Sequence, residues 1–245
     1  MTGLAIIGGS GLSEQDGLEI IDQQTLTTPY GKPSADFITG QLAGKTVIFL
    51  ARHGNPHTIA PHKINYRANI WGLKQLGVQK IIAVAAVGGI TENMPPRRIA
   101  IPDQIIDYSY DRNHTFFEDD IDNVSHIDFT NPYSKNLRAE LINAAENASI
   151  KITAQGVYGC TQGPRLETTA EIIRMQRDGC HLVGMTGMPE AALARELEID
   201  YACCAVVANW AAGKTDGEIT MEEIIKHLVA GMADVKKLLM RYLEL

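Results

Sequence analysis

The sequence predicts an α/β domain, a largely parallel sheet covered by helices on both sides. Three observations predict it. Near-continuous apolar runs at Leu4–Ile7, Thr46–Ala51 and Ile81–Ala86 read as strands buried on both faces. Segments of helical period alternate with them, the pattern of a sheet with crossover helices. The runs end in glycine pairs or in Arg52 and His53, and open α/β sheets bind ligands beyond their strand ends. With 245 residues, 45% of them hydrophobic, and no Gly/Ser or Pro-rich linker, residues 1–245 are expected to form one domain.

Taken in order, Leu4–Ile7 is a strand running into G-G-S-G-L, a turn whose amides and Ser10 hydroxyl can face an anion. That string lacks the G-x-G-x-x-G of a dinucleotide fold. Thr46–Ala51 delivers A-R-H-G and a loop rich in donors, with His57 and His62; Arg52 also suits a solvated turn. Asn65 caps a helix over Tyr66–Leu76 with Ile70, Leu73 and Leu76 on one face. Ile81–Ala86 is a strand ending in a second glycine turn, V-G-G-I, and Ile99–Ile106 a further strand. Residues Tyr108–Pro132 are polar and aromatic without a period, which suits a lid or sugar-contacting loop. His126 is the candidate there, either for the sugar or for a core hydrogen bond. Helices follow at Ser134–Asn147, Thr168–Arg177 and Met188–Leu197, with capping-box spacing at Thr168 and Glu171. Thr220 and Glu223 cap a last helix whose stripe runs from Ile224 to Leu239, with Met221 in its first turn.

The formal charge of −7 argues against a nucleic-acid surface, which normally carries a basic patch. No run of about 18 apolar residues suggests a membrane span, and the N-terminus starts on a strand rather than a basic leader, so a cytoplasmic setting is expected. Cys160, Cys180, Cys203 and Cys204 lack C-x-x-C spacing and read as reduced core thiols rather than metal ligands. No metal or organic cofactor is implied. The partner is a small molecule.

Between Gly159 and Asn209 a backbone-rich turn, the Glu167 carboxylate, the Thr186 hydroxyl and the Asn209 carboxamide suit a flat, polar heterocycle. Taken alone, Asn209 equally suits a strand-end cap.

The strings I-G-G-S-G-L, A-R-H-G-N-P-H-T-I, N-Y-R-A-N-I-W, T-Q-G-P-R-L-E-T and V-G-M-T-G-M-P-E-A resemble the trimeric purine nucleoside phosphorylase and methylthioadenosine phosphorylase family, in that family's order and over nearly the whole chain. The resemblance implies a mixed central sheet flanked by helices and a homotrimer, alone or as a dimer of trimers, in which a neighbour completes each site. The implied reaction is reversible phosphorolysis of an N-glycosidic bond, with inorganic phosphate as co-substrate. Ser10, Arg52, His53, Thr186 and the backbone amide of Ala86 match phosphate positions, with His62 a further candidate. Met185 matches the residue beneath the ribose, His126 a ribose contact from the adjacent subunit, and Asn209, Trp210 and Ala211 the base segment, where Asn209 is the catalytic residue.

Three positions bear on the substrate. Glu167 matches branches that take 6-oxopurines, because its carboxylate accepts the N1 proton that hypoxanthine carries and adenine lacks. Asn209 stands where the adenine branch has Asp; its amide can reach both the 6-oxygen and N7. Met221 stands where the inosine branch has a 5′-hydroxyl-binding histidine, and offers an apolar surface to a methylthio group. Leu166 replaces a base-stacking aromatic, and Ala85 a hydroxyl or amide. The expected substrate is therefore a hypoxanthine nucleoside with a 5′-methylthio group. The alternatives are a general 6-oxopurine nucleoside, then methylthioadenosine. A dinucleotide oxidoreductase and a non-catalytic nucleoside sensor are the readings from other classes.

Overall fold

The computed structural model describes residues 3–9, 12, 18–118 and 125–245. The strands are β1 (Leu4–Gly8), β2 (Glu19–Gln24), β3 (Phe37–Leu42), β4 (Lys45–Ala51), β5 (Lys80–Gly89), β6 (Ile99–Ala100), β7 (Gln104–Asp107), β8 (Ile152–Thr153), β9 (Val157–Cys160), β10 (Leu182–Gly184) and β11 (Asp200–Trp210). The helices are α1 (Tyr66–Gln75), α2 (Lys135–Asn147), α3 (Thr169–Arg177), α4 (Glu190–Glu196) and α5 (Met221–Glu244). One mixed sheet runs β2-β3-β4-β1-β5-β10-β9-β7, with β11 on the other edge of β5 and β6 and β8 beyond it. β1, β4, β5 and β11 pair in parallel, whereas β2, β3 and β4 form an antiparallel meander.

Period-2 alternation in the two central strands divides the core. Ile81, Ala83, Ala85 and Val87 of β5, with Tyr201, Cys203 and Ala205 of β11, face α1 and α4 through Ile70, Leu73, Ala191 and Leu193. Ile82 and Val84, with Ala202, Cys204 and Val206, face α2 and α5 through Leu137, Leu141, Leu238 and Leu239. Helices thus cover both sides, as the apolar runs require. Cys203 and Cys204 point to opposite faces, and all four cysteines are free and buried. Burial pushes the Cys160 and Cys204 thiols up to about 12, so they stay protonated and unreactive.

The expected caps form. Asn65 Oδ1 accepts from the Ala68 N–H, Ser134 Oγ from Leu137, and Thr220 Oγ1 from Glu223, while Thr168 and Glu171 close a capping box. Three expectations need correction. The strand expected over 99–106 is two strands, because Pro102 has no N–H to give a ladder; β6 pairs with β11 and β8, and β7 with β9. Gly88 and Gly89 are no turn but the end of β5. A Cβ on Gly89 would stand 1.9 Å from the Met94 carbonyl oxygen, so close packing rather than turning selects glycine there. The helix expected from Met188 begins only at Glu190, with Pro189 at its N-cap. β2, β3 and β10 fall in stretches where no strand is expected. β2 is exposed throughout and β10 is three residues long, so neither carries much periodicity.

Candidate active site

The site begins as a gap in the sheet. On one edge of β5, β1 pairs with Lys80–Ala83 and β10 with Gly88 and Gly89, leaving residues 84–87 without a strand partner on that side among the described residues. Their other edge stays paired with β11. Backbone groups of residues i and i+2 point to the same edge. The Val84 carbonyl turns into the gap to meet Arg52, so the Ala86 N–H faces the gap too. Ala86 is the one exposed residue in the buried run of β5. A cavity of about 680 Å³ opens there, lined by β5, the loops after β4 and β10, the Leu166–Glu167 loop, the end of β11 and the inner face of α5.

Arg52, His53, Ala86 and Thr186 line this cavity. Arg52 is 2% exposed and Glu190 fully buried. Arg52 Nε and Nη2 each donate to Glu190 at 2.7 Å, Nη1 donates to the Val84 carbonyl at 2.9 Å, and the Tyr201 hydroxyl donates to Glu190 Oε1 at 2.9 Å. Burial works to lower the Arg52 pKa, but the charge and hydrogen bonds of Glu190 outweigh it and hold it above its ordinary value. The alternative of a solvated turn does not hold for Arg52: a buried guanidinium needs a counter-charge, and Glu190 supplies it. Arg52 can offer an anion its remaining N–H groups but little net charge.

His53 Nδ1 lies 2.8 Å from the Ile59 carbonyl oxygen. A carbonyl only accepts, so Nδ1 carries the hydrogen and Nε2 is left as an acceptor in the neutral ring. The ring stacks on His57 with centroids 4.2 Å apart. Burial lowers the His53 pKa to about 4 despite the Ile59 bond, with Arg52 and His57 adding to the effect. These residues thus offer the free N–H groups of an ion-paired guanidinium and one ring nitrogen that stays unprotonated down to about pH 4. Thr186 is buried at 7% exposure, and its amide donates to the Tyr158 hydroxyl. Ser10 lies outside the described residues. His62 is not on the cavity lining, and its Nδ1 is buried without a partner among the described residues.

Glu167, Asn209, Ala211 and Met185 also line the cavity. The Thr161 hydroxyl donates to Glu167 Oε1 at 2.7 Å and fixes the carboxylate. Asn209 is placed by an irregularity in the ladder: Val207 pairs with Val87 and Asn209 with Gly88, so Ala208 is an extra residue. Such a bulge re-aims the side chains that follow it. Asn209 Nδ2 then donates to the Trp210 carbonyl at 2.7 Å, leaving Oδ1 and the second N–H for a ligand. Trp210 itself is off the lining and acts here through its backbone, not its indole.

Two further candidates stand apart from the cavity of the single chain. Met221 is 65% exposed and does not line it; Ile224, almost one turn on, and Leu228 do. The reason is helical phase: Met221 and Ile225, four residues apart, share an exposed face of α5 off the lining, whereas Val229, also exposed, borders the cavity. His126 is exposed and also off the lining. Sequence reasoning missed Thr161, Glu190 and Arg112, the last a buried cation in the loop after β7. Glu190 alone carried a signal, as a carboxylate opening an otherwise small and apolar helical run.

One cavity lined by N–H donors, a fixed carboxylate and a carboxamide suits a ligand pair of phosphate and purine nucleoside. The chain matches the description "Phosphorylase superfamily" over residues 4–244. It is 55% identical over 244 residues, covering 100% of this chain and 99% of the relative, to a probable S-methyl-5′-thioinosine phosphorylase of Pseudomonas syringae pv. tomato. To a 6-oxopurine nucleoside phosphorylase of Pyrococcus furiosus it is 43% identical over 250 residues, covering 100% of this chain and 93% of that protein. A solved methylthioadenosine phosphorylase from an antarctic soil metagenomic library superposes with a TM-score of 0.93 at 37% identity, over 98% of this chain and 85% of that one. The chain therefore belongs to the phosphorylase superfamily.

Proposed function

We propose that this chain catalyses phosphorolysis of S-methyl-5′-thioinosine to hypoxanthine and 5-(methylthio)ribose 1-phosphate. The observation that carries the reading is the Glu167 carboxylate, held by Thr161 and facing the same cavity as Asn209. Glu167 accepts the N1–H of a 6-oxopurine; adenine would present a lone pair to it, leaving both groups unsatisfied. Asn209 Oδ1 accepts a hydrogen bond from the N7–H that forms as the base departs, while its free N–H reaches the 6-oxygen. As the C1′–N9 bond breaks, the departing base gains negative charge and these bonds strengthen, which is what lowers the barrier. Phosphate, on the Ala86 amide, Thr186, Arg52 and His53, faces the cationic sugar and forms the new C1′–O bond. Its proton ends on the base. No protein nucleophile is needed.

Ile224, Leu228 and Met232 line the remaining wall and give a methylthio group apolar contact; burying it contributes about 1–2 kcal/mol. A free 5′-hydroxyl would lose its water there. The same wall is what sets this reading against an inosine or guanosine phosphorylase. The probable S-methyl-5′-thioinosine phosphorylase at 55% identity supports the assignment. We further propose one domain, a homotrimer in which a neighbour covers the exposed Met221, Ile225 and Val229 and contributes its own copy of His126, and a reducing cytoplasmic setting that suits four free thiols.

The test is kcat/KM for methylthioinosine, inosine and methylthioadenosine in phosphate. Methylthioinosine should lead. Faster turnover of methylthioadenosine would remove Glu167 and Asn209 from the specificity argument, and equal turnover of inosine would remove the apolar wall.

A further inference from the structure

Arg112 sits in the loop after β7, yet it is only 7% exposed. Its Nε donates to the Gln162 side-chain oxygen at 3.0 Å. Nη2 donates to the Thr161 and Gln162 carbonyls at 3.0 and 2.9 Å. Nη1 donates to the Met185 carbonyl at 2.9 Å and to that of Met188. All the N–H groups of the guanidinium are thereby used. The Tyr66 hydroxyl stands 3.3 Å from Nη1, and the guanidinium lies 5.6 Å from the centre of the Tyr66 ring. None of these partners is a carboxylate. A buried cation held by carbonyls alone is an expensive way to secure a loop, so its placement calls for more than packing.

The two sets of carbonyls belong to the two halves of the site. β9 and β10 run parallel, with Cys160 opposite Gly184. The residues just past β9 lead to Glu167, with the Thr161 hydroxyl on its carboxylate, and those just past β10 carry Met185 and Thr186. We propose that Arg112 is a positioning residue that fixes the separation of the base-holding loop from the phosphate and sugar-holding loop. It touches neither ligand. Its rigid planar fork spans both loops at once, which a lysine ammonium cannot reproduce. The C1′–N9 bond is the one covalent link between what the two loops hold, so their spacing governs the alignment of phosphate, C1′ and base. This deepens the proposed function and rests on it.

The experiment compares wild type, Arg112→Lys and Gln162→Ala, the last removing the Nε bond and the Tyr110 N–H bond to the same oxygen. Thermal unfolding checks that each variant folds. Isothermal titration measures hypoxanthine alone and phosphate alone, kinetics measures methylthioinosine phosphorolysis, and hydrogen exchange follows residues 161–167 and 185–188. In Arg112→Lys, each single ligand should bind within about threefold of wild type while kcat falls about 100-fold, the cost of a misplacement near 1 Å. Exchange should rise in both loops together. Gln162→Ala should move the same readouts the same way, about tenfold in kcat, and decides the matter if Arg112→Lys does not fold. Unchanged kcat in a folded variant overturns the proposal. So does a loss of both single-ligand affinities that accounts for the whole fall in kcat/KM, or exchange that stays unchanged in both loops. Hydrogen exchange needs no substrate: if wild type releases no hypoxanthine, the functional reading fails while the clamp is still judged on its own.

Discussion

Thr161 contributes nothing that a substrate would touch, but its hydroxyl, 2.7 Å from Glu167, decides where the carboxylate points. Thr161→Val should lower the preference for methylthioinosine over methylthioadenosine about tenfold, since a hydrogen bond to a charged group contributes about 1.5–3 kcal/mol; the ratio of kcat/KM values reads it directly. Glu190 is the complementary case, a fully buried carboxylate on a 2% exposed arginine. Glu190→Gln leaves the Arg52 charge buried without its counter-charge and should cost about 3–5 kcal/mol in urea unfolding. The double replacement Arg52→Met with Glu190→Leu should cost less. Glu167, Thr186 and Asn209 stood out as polar groups among loops and a strand end, whereas Ala86 came only through the resemblance to a known family, because a backbone amide leaves no mark in a sequence. Thr161 and Arg112 were not legible. Threonine before a glycine-rich turn is unremarkable in a sequence, and an arginine in a polar loop gives no sign that its partners are carbonyls from two distant loops.

Among the elements, helices with side-chain caps read most clearly, because a hydroxyl or amide three residues ahead of its partner is a local signal. Thr220 and the buried Val235, Leu238 and Leu239 made α5 plain. What no local pattern holds is which face of that helix meets a cavity, and so Met221 gave way to Ile224. Glycine in β5 was misread for a related reason: Gly88 and Gly89 look like a turn until their neighbours are known. Gly89→Ala drives a methyl against the Met94 carbonyl, where the ideal Cβ would be 1.9 Å from the oxygen. Overpacking of that kind costs about 1–3 kcal/mol, and here it also threatens the junction with β10. Chemical denaturation should show the loss, and phosphate affinity should weaken with it because the gap at residues 84–87 is bounded there.

For the whole molecule, acid stability has two separable windows. His53, ordinarily near 6.5, is held at about 4 chiefly by burial, so the unfolded chain takes up its proton first. Its contribution is present above pH 6.5 and is lost as pH falls from 6.5 to 4. Glu171, hydrogen-bonded by Arg165 and held at about 2, sheds its contribution lower, from pH 4.5 downward. Urea midpoints at pH 7.5 and 5 should therefore differ less for His53→Gln than for wild type. The exposed stripe of Met221, Ile225 and Val229 belongs to the same scale. Ile225→Glu should shift sedimentation toward the monomer and, if the neighbour completes the site, take activity with it. The layered sheet was legible from buried strands alternating with helices; the assembly was not, because one chain carries only half of any contact. The gap in β5 has one more consequence. An amide on a strand edge is not encoded by any side chain, so almost every codon change at Ala86 leaves the donor in place and only proline deletes it. On the proposed function, substrate choice rests on the replaceable groups of Glu167, Asn209 and Ile224 and can drift between descendants, while this one donor to the anion survives almost any substitution.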